Sequence, residues 1–232
     1  MKKMYFLVII SMAVLSLSTV NAQVKAGLKI GADFSTIRFK VDEIIMNDSM
    51  DFKRLTSPRL GFLVEIPLSD ELFIYAGADA ALKGFKYTDE REKNEKWVKS
   101  EEMHILVSVN FPIMAGYKLD LDGFKVFGMV GPVIGWNTYT TNLYKANGNW
   151  DNSHLTIGTE PTDNYKPIDI NVRLEAGIEI SRFQFSASYT HGLSDLMTVP
   201  EFMTARPSVI GLSAAIKFGE VDGGRRGGHR RR

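Results

Sequence analysis

Residues 168–180 read Ile168-Asp169-Ile170-Asn171-Val172-Arg173-Leu174-Glu175-Ala176-Gly177-Ile178-Glu179-Ile180. Every even position is apolar, and the odd positions hold Asp, Asn, Arg, Glu, Gly and Glu. In a β-strand successive side chains point to opposite faces, so the two sets separate completely. A helix would scatter both sets round its circumference. The same reading applies at residues 24–35. There Val24, Ala26, Leu28, Ile30, Ala32 and Phe34 alternate with Lys25, Gly27, Lys29, Gly31, Asp33 and Ser35.

Working outward from these stretches, the period of two predicts eight strands, at about 24–37, 58–67, 71–87, 103–118, 123–140, 167–180, 182–192 and 207–218. Short links (Leu68-Ser69-Asp70, Asp120-Leu121-Asp122-Gly123 and Ser181-Arg182) alternate with long ones at about 38–57, 88–102, 141–166 and 193–206. The long links carry charge and turn residues such as Asn147-Gly148-Asn149. Strict alternation puts the short turns at one end of the sheet and the long loops at the other. That asymmetry belongs to a membrane barrel with periplasmic turns and extracellular loops. The expected fold is all-β, an eight-stranded antiparallel up-and-down transmembrane β-barrel, monomeric, with both termini on the periplasmic side.

The chain has 232 residues, 28 basic and 27 acidic, and no cysteine, so disulfide scaffolds and thiolate metal sites are excluded. Residues 23–218 hold 21 basic against 25 acidic groups, which gives nucleic acid no basic face to bind. Lys2 and Lys3 precede an apolar run from Met4 to about Leu17, and Val20-Asn21-Ala22 follows with small residues where a signal peptidase cuts. Residues 1–22 are therefore expected to be a signal peptide, residues 23–218 the barrel, and residues 219–232 a basic disordered periplasmic tail. No later run is long enough for a helical membrane span. A membrane form of this chain must then be a closed barrel, which leaves no backbone group unpaired in lipid. Alternation alone does not say which face is inside, and a soluble lipocalin-type barrel with a ligand cavity is the rival fold. Strand length, a charged second face, and aromatics toward strand ends (Phe85, Tyr87, Tyr117, Phe124, Trp136, Tyr139, Phe183, Tyr189 and Phe218) favour the membrane, with lipid as the first partner. Pro112 and Pro132 fall inside two strands and predict bulges or kinks.

Several segments resemble a known family. Val24-Lys25-Ala26-Gly27-Leu28-Lys29-Ile30-Gly31 is similar to the first strand of the PorT-like outer membrane β-barrel domain proteins. Gly61-Phe62-Leu63-Val64-Glu65-Ile66-Pro67-Leu68 resembles their second strand and turn. Val109-Asn110-Phe111-Pro112-Ile113-Met114-Ala115-Gly116-Tyr117-Lys118 resembles their fourth strand, with Asn110 in place of the usual acid. Ala176-Gly177-Ile178-Glu179-Ile180 and Tyr189-Thr190-His191-Gly192-Leu193 resemble the late hairpin. The resemblance implies residence in the outer membrane of a Gram-negative bacterium. Its founding member is associated with type IX protein secretion, which implies envelope or secretion proteins as partners. Phe218 resembles a terminal aromatic insertion signal, although fourteen residues follow it.

The polar face carries Lys25, Lys29, Asp33, Glu65, Asp79, Lys83, Arg173, Glu175 and Glu179. An eight-stranded barrel is only wide enough to be filled by side chains, so these groups are expected to form a charge network that plugs the lumen. Lys29, Asp33, Asp79, Lys83, Arg173, Glu175 and Glu179 are its core members, with Arg173 near mid-height facing Asp33 or Asp79. A narrow solute channel is the alternative. No cofactor is expected, and none of the four histidines is paired at metal-ligand spacing. His191, Ser194 and Asp195 are close in sequence and raise a lipid- or peptide-cleaving enzyme as a further alternative, but hydrolysis needs geometry. Trp97 and Trp150 lie in long links and are candidate partner contacts. The favoured function is a non-enzymatic barrel with a structural or interaction role in the envelope.

Overall fold

The structure, a computed structural model, describes residues 24–41, 44–45, 52–93, 96–146, 149–198 and 203–219. The signal-peptide segment and, beyond Gly219, the basic tail lie outside the described residues. Ten strands form one antiparallel sheet: β1 (Lys25–Val41), β2 (Ile44–Ile45), β3 (Phe52–Pro67), β4 (Leu72–Lys93), β5 (Lys96–Asp120), β6 (Lys125–Ala146), β7 (Asn149–His154), β8 (Ile168–Ile180), β9 (Phe183–Gly192) and β10 (Met203–Phe218). Eight of them close a barrel in the order β1-β3-β4-β5-β6-β8-β9-β10, and β10 returns to pair with β1 from Ala26↔Phe218 to Val41↔Met203. The two short strands β2 and β7 extend β1 and β6 beyond the barrel.

Register fixes the barrel's slant. Starting at Lys25, paired residues run to Glu65, Tyr75 and Met114, then to Gly131, which abuts the Met114 backbone. From Gly131 they continue through Arg173, Thr190 and Val209 to Ser35, ten residues further along β1. The strands are therefore strongly tilted, as closure of a barrel requires. At the short-turn end, Asp122 (φ 42°) and Gly123 (φ 118°) both take positive φ, as a type I′ turn demands. Ser69 Oγ accepts from the backbone N–H of Leu72 at 3.0 Å in the turn between β3 and β4.

The apolar set faces outward. Leu28, Ile30, Leu60, Phe62, Ile113, Val130, Ile134, Ile170, Leu174 and Leu212 are exposed on the wall, while Asp169, Asn171, Arg173, Glu175 and Glu179 of β8 are buried inside. This polarity is the reverse of a lipocalin-type barrel and overturns that alternative. Aromatic side chains mark both borders of the apolar band: Tyr117, Phe124, Phe183 and Phe218 toward the short turns, and Trp136, Tyr139 and Tyr189 toward the long loops. Phe85 and Tyr87 do not belong to these girdles. They share strand parity with Phe73 and Tyr75, which directs them inward; Phe85 is buried and Tyr87 packs beside it.

Strands run further than alternation predicts. β4 and β5 continue as a ladder to Lys93↔Lys96, and β6 pairs with β7 across much of the expected 141–166 loop. Pairing lapses beside Pro112 and Pro132 with no change of register, since Pro112↔Val133 and Ala115↔Val130 keep the same offset. The irregularities fall instead between Val107 and Ser108 on β5, and between Arg54 and Arg59 on the β4 side of Pro58. A proline leaves a gap in the ladder but shifts register only where an extra residue is accommodated.

Leu174 is 59% exposed midway along β8. Leu174→Arg is expected to cost about 2–4 kcal/mol at the bilayer midplane, read as loss of heat-modifiable folded barrel after insertion into lipid vesicles. Insertion equal to the parent would contradict the assignment of the lipid-facing side.

Candidate functional site

The barrel interior is the chemically distinctive part of the molecule. Twelve charged side chains are buried there among the described residues: Lys29, Arg59, Lys83, Lys118, Arg173 and Lys217 against Asp33, Glu65, Asp79, Asp169, Glu175 and Glu179. Six cations meet six anions, so the lumen is neutral, and each group has an oppositely charged partner within 3.0 Å.

These groups are stacked in tiers. Nearest the short turns, Lys118 and Lys217 alternate with Glu65 and Glu179 in a closed four-membered ring. Lys118 donates to Glu65 and, at 2.8 Å, to Glu179; Lys217 donates to Glu65 at 2.6 Å and to Glu179 at 2.7 Å. Four different strands supply its members, so the ring clamps β3, β5, β8 and β10 together. An apolar layer of Leu63, Phe73, Tyr75, Met114, Phe127 and Met129 adjoins it. The Lys118 ammonium sits 4.6 Å from the centre of the Phe73 ring, whose face lies against Gly116.

Above this layer, Lys29 pairs with Glu175, which also accepts from Ser186 Oγ at 2.7 Å. Next, Arg59 forks onto both oxygens of Asp33, while Arg173 donates to Asp79 and to Thr190 Oγ1, each at 3.0 Å. Arg59 Nε is also 3.9 Å from Asp79, so the two pairs form one chain. Higher still, Lys83 reaches both oxygens of Asp169, at 2.9 and 2.8 Å, and Asn171 donates to the same carboxylate. Two glycines make room for these pairs. A Cβ on Gly135 would lie 2.0 Å from Asp169 Oδ1, and one on Gly211 would lie 2.6 Å from Arg59 Nη2.

The long-loop end of the lumen is apolar. Ile37, Phe39, Phe85, Leu106 and Ala205 converge inside the wall, and Tyr165 and Leu196 from the loops close over them. Phe39 and Phe85 meet edge to face at 5.4 Å. Burial in this cap pushes the Tyr165 phenol up to about 12.

All seven residues singled out from sequence as core members of the network, Lys29, Asp33, Asp79, Lys83, Arg173, Glu175 and Glu179, lie in the interior. Arg173 contacts Asp79 and not Asp33, which Arg59 occupies. Sequence reasoning missed Arg59, Lys118, Asp169 and Lys217, although each shares strand parity with an inward residue. His191, Ser194 and Asp195 are not brought together. Ser194 Oγ accepts from the Ile170 amide at 2.7 Å, Asp195 accepts from the Ala205 amide at 2.8 Å, and His191 Nδ1 accepts from Arg38. Trp97 and Trp150 stand on β5 and β7 rather than in irregular loops, and their side chains lie outside the described residues.

An outward apolar band, aromatic borders and a charged interior define an integral membrane β-barrel. The chain belongs to the outer membrane protein beta-barrel domain family, whose model matches residues 16–198. No curated protein sequence matches it. Among solved structures, the chain is similar to the attachment invasion locus protein Ail of Yersinia pestis, at 13% identity over 84% of this chain and 99% of that one, with a TM-score of 0.36. It is also similar to the outer membrane protein OprG of Pseudomonas aeruginosa, at 10% identity over 86% and 97%, with a TM-score of 0.38. Neisserial surface protein A shares 10% identity over 83% and 97%, with a TM-score of 0.36.

Arg173→Ala leaves the buried Asp79 carboxylate without its closest cation. The expected loss is about 3–5 kcal/mol, measured as a lower denaturant midpoint, with insertion retained because the lipid face is unchanged. Adding Asp79→Asn should recover much of it. A double-mutant cycle should give strong coupling to Asp79 and weak coupling to Asp33; a silent Arg173→Ala would mean a hydrated lumen.

Proposed function

We propose that this chain is a non-enzymatic outer membrane barrel with a sealed interior, acting in the envelope as a structural or interaction element through its long-loop end. The observation that carries this reading is the self-contained interior. Among the described residues twelve buried charges neutralise one another in pairs and in one four-membered ring, with one apolar layer between that ring and the tiers above it and another closing the long-loop end. Groups committed to one another in this way are poor candidates for solute binding or general acid–base work, because freeing one strands its partner. The long-loop end holds the ladder extensions of β4, β5, β6 and β7, a surface suited to partner contact, with Trp97 and Trp150 as the anchors to test. The PorT-like resemblance makes envelope or secretion proteins the partners of choice. In this reading residues 1–22 are removed as a signal peptide, both termini are periplasmic, and residues 219–232 hang there as a basic disordered tail.

In planar bilayers the purified full-length protein should give no single-channel steps, because the lumen leaves no continuous water path. Stable ion-selective steps would overturn the sealed interior. Photo-crosslinkers at positions 97 and 150 should capture envelope proteins from intact outer membranes; capture only from position 220 onward would move the interaction to the other side of the membrane.

A further inference from the structure

On the outer face of the wall at the long-loop end, Arg38 of β1 and Arg206 of β10 are directly opposed in the antiparallel register. Like charges at opposed positions repel. Among the described residues neither guanidinium has a carboxylate partner. Asp195, an acid on the link between β9 and β10, is turned onto the backbone amides of Met197 and Ala205 at 3.2 and 2.8 Å. Among the described residues, the charged groups nearby on β1 and β3 include Lys40, Lys53 and Arg54, all exposed cations. Arg38 donates to His191 Nδ1 and lies 3.5 Å from the Tyr189 hydroxyl, which is itself 3.4 Å from Ser208 Oγ. With Nδ1 accepting, the neutral imidazole carries its proton on Nε2. The arginines sit just past the border of the apolar band marked by Ile210 and Tyr189, 41% exposed each.

Below them the same wall has an open, shallow apolar groove of about 850 Å³. It is floored by the small residues Ala176, Gly177, Ala187 and Ala214 and flanked by Leu60 and Phe185. It shares β1, β9 and β10 with the cationic cluster. Along β10, Ala214 lies about 27 Å of strand from Arg206 at a rise near 3.4 Å per residue, and the strand tilt shortens that to the depth of one leaflet.

We propose that this wall binds one membrane lipid carrying a headgroup phosphate, with the phosphate between Arg38 and Arg206 and an acyl chain along the groove. A phosphate resolves the repulsion between the two guanidiniums and matches their planar donor forks. Interfacial cations with no protein counter-ion are placed to meet anionic headgroups. Small groove residues let a chain lie close to the backbone where a bulky side chain would lift it away. The site needs only the membrane barrel itself; the orientation proposed above decides which leaflet supplies the lipid.

The test uses the full-length barrel in nanodiscs of phosphatidylcholine containing a minor fraction of phosphatidic acid, released into native mass spectrometry. The barrel is expected to keep one phosphatidic acid. Arg38→Ala with Arg206→Ala should lower the retained fraction about tenfold, and Ala187→Trp, which fills the groove and leaves the arginines, should lower it as well. Heat-modifiable migration checks folding, and Arg206→Ala alone, at an exposed position, serves if the double variant does not fold. Diacylglycerol in place of phosphatidic acid should not be retained. Equal retention by the arginine variants, or equal retention of diacylglycerol, overturns the proposal. Displacement by millimolar inorganic phosphate, with Ala187→Trp silent, reduces the site to a free-anion patch and overturns it too. Because nanodiscs have no cellular sidedness, failure here leaves the orientation untouched.

Discussion

Closure of β10 onto β1 is the constraint from which the other features descend. In a bilayer an open sheet edge would leave a row of backbone N–H and C=O groups without partners, so the sheet has to close. Eight strands with a shear of ten make a barrel narrow enough for side chains to fill, and the inward side chains then become the core. Because the outward positions must be apolar to meet lipid, polar side chains are left for the inside. Charges placed there survive only in pairs, and the six-to-six balance among the described residues is the electrostatic result of closing so small a barrel.

That order of causes explains what could be read from sequence. Parity along a strand is local, and β8 shows it without exception; strand number, the short turns and the inward placement of Lys29, Asp79 and Glu175 follow from counting by two. Pair identity is not local. Arg173 meets Asp79 because β4 and β8 face each other across a lumen whose slant is set by the register of every strand, while Asp33 is claimed by Arg59 on the neighbouring strand. Lys118 and Lys217 could have been found by extending parity from Met114 and Ala215, but a lone lysine at a strand end reads as a solvated terminus. Phe73 and Tyr75 share the inner face of β4 with Asp79, and they supply the apolar layer over the Lys118 ring.

The strand ends were illegible for a different reason. Beyond the aromatic border the outer face meets water, so the requirement for outward apolar residues lapses while the backbone ladder continues. β4 and β5 run to Lys93 and Lys96 through a segment rich in Glu, Lys and Arg, where composition suggests a loop and the hydrogen bonds make a hairpin. The Trp97 and Trp150 placements share this cause.

The same boundary is written into the phase of the alternation. In β1 the outward apolar residues are even-numbered, from Leu28 and Ile30 to Phe34, and the apolar residues then switch to odd positions at Ile37 and Phe39, which point inward. β10 makes the same change, from Leu212 and Ile210 outward to Val209 and Ala205 inward, and β4 makes it between Leu82 and Phe85. A one-residue step in the pattern with no step in the backbone register cannot be a slip of pairing, since β1 and β10 stay in continuous register through it. It marks the level at which the surrounding solvent changes from lipid to water. Below that level the barrel is apolar outside and, apart from the layer holding Leu63 and Met129, charged within; above it, the barrel is charged outside and apolar within, like a soluble protein. Arg38 and Arg206 are among the first charged outward residues past the switch on their strands, so the step in the sequence and the cationic rim record one interface.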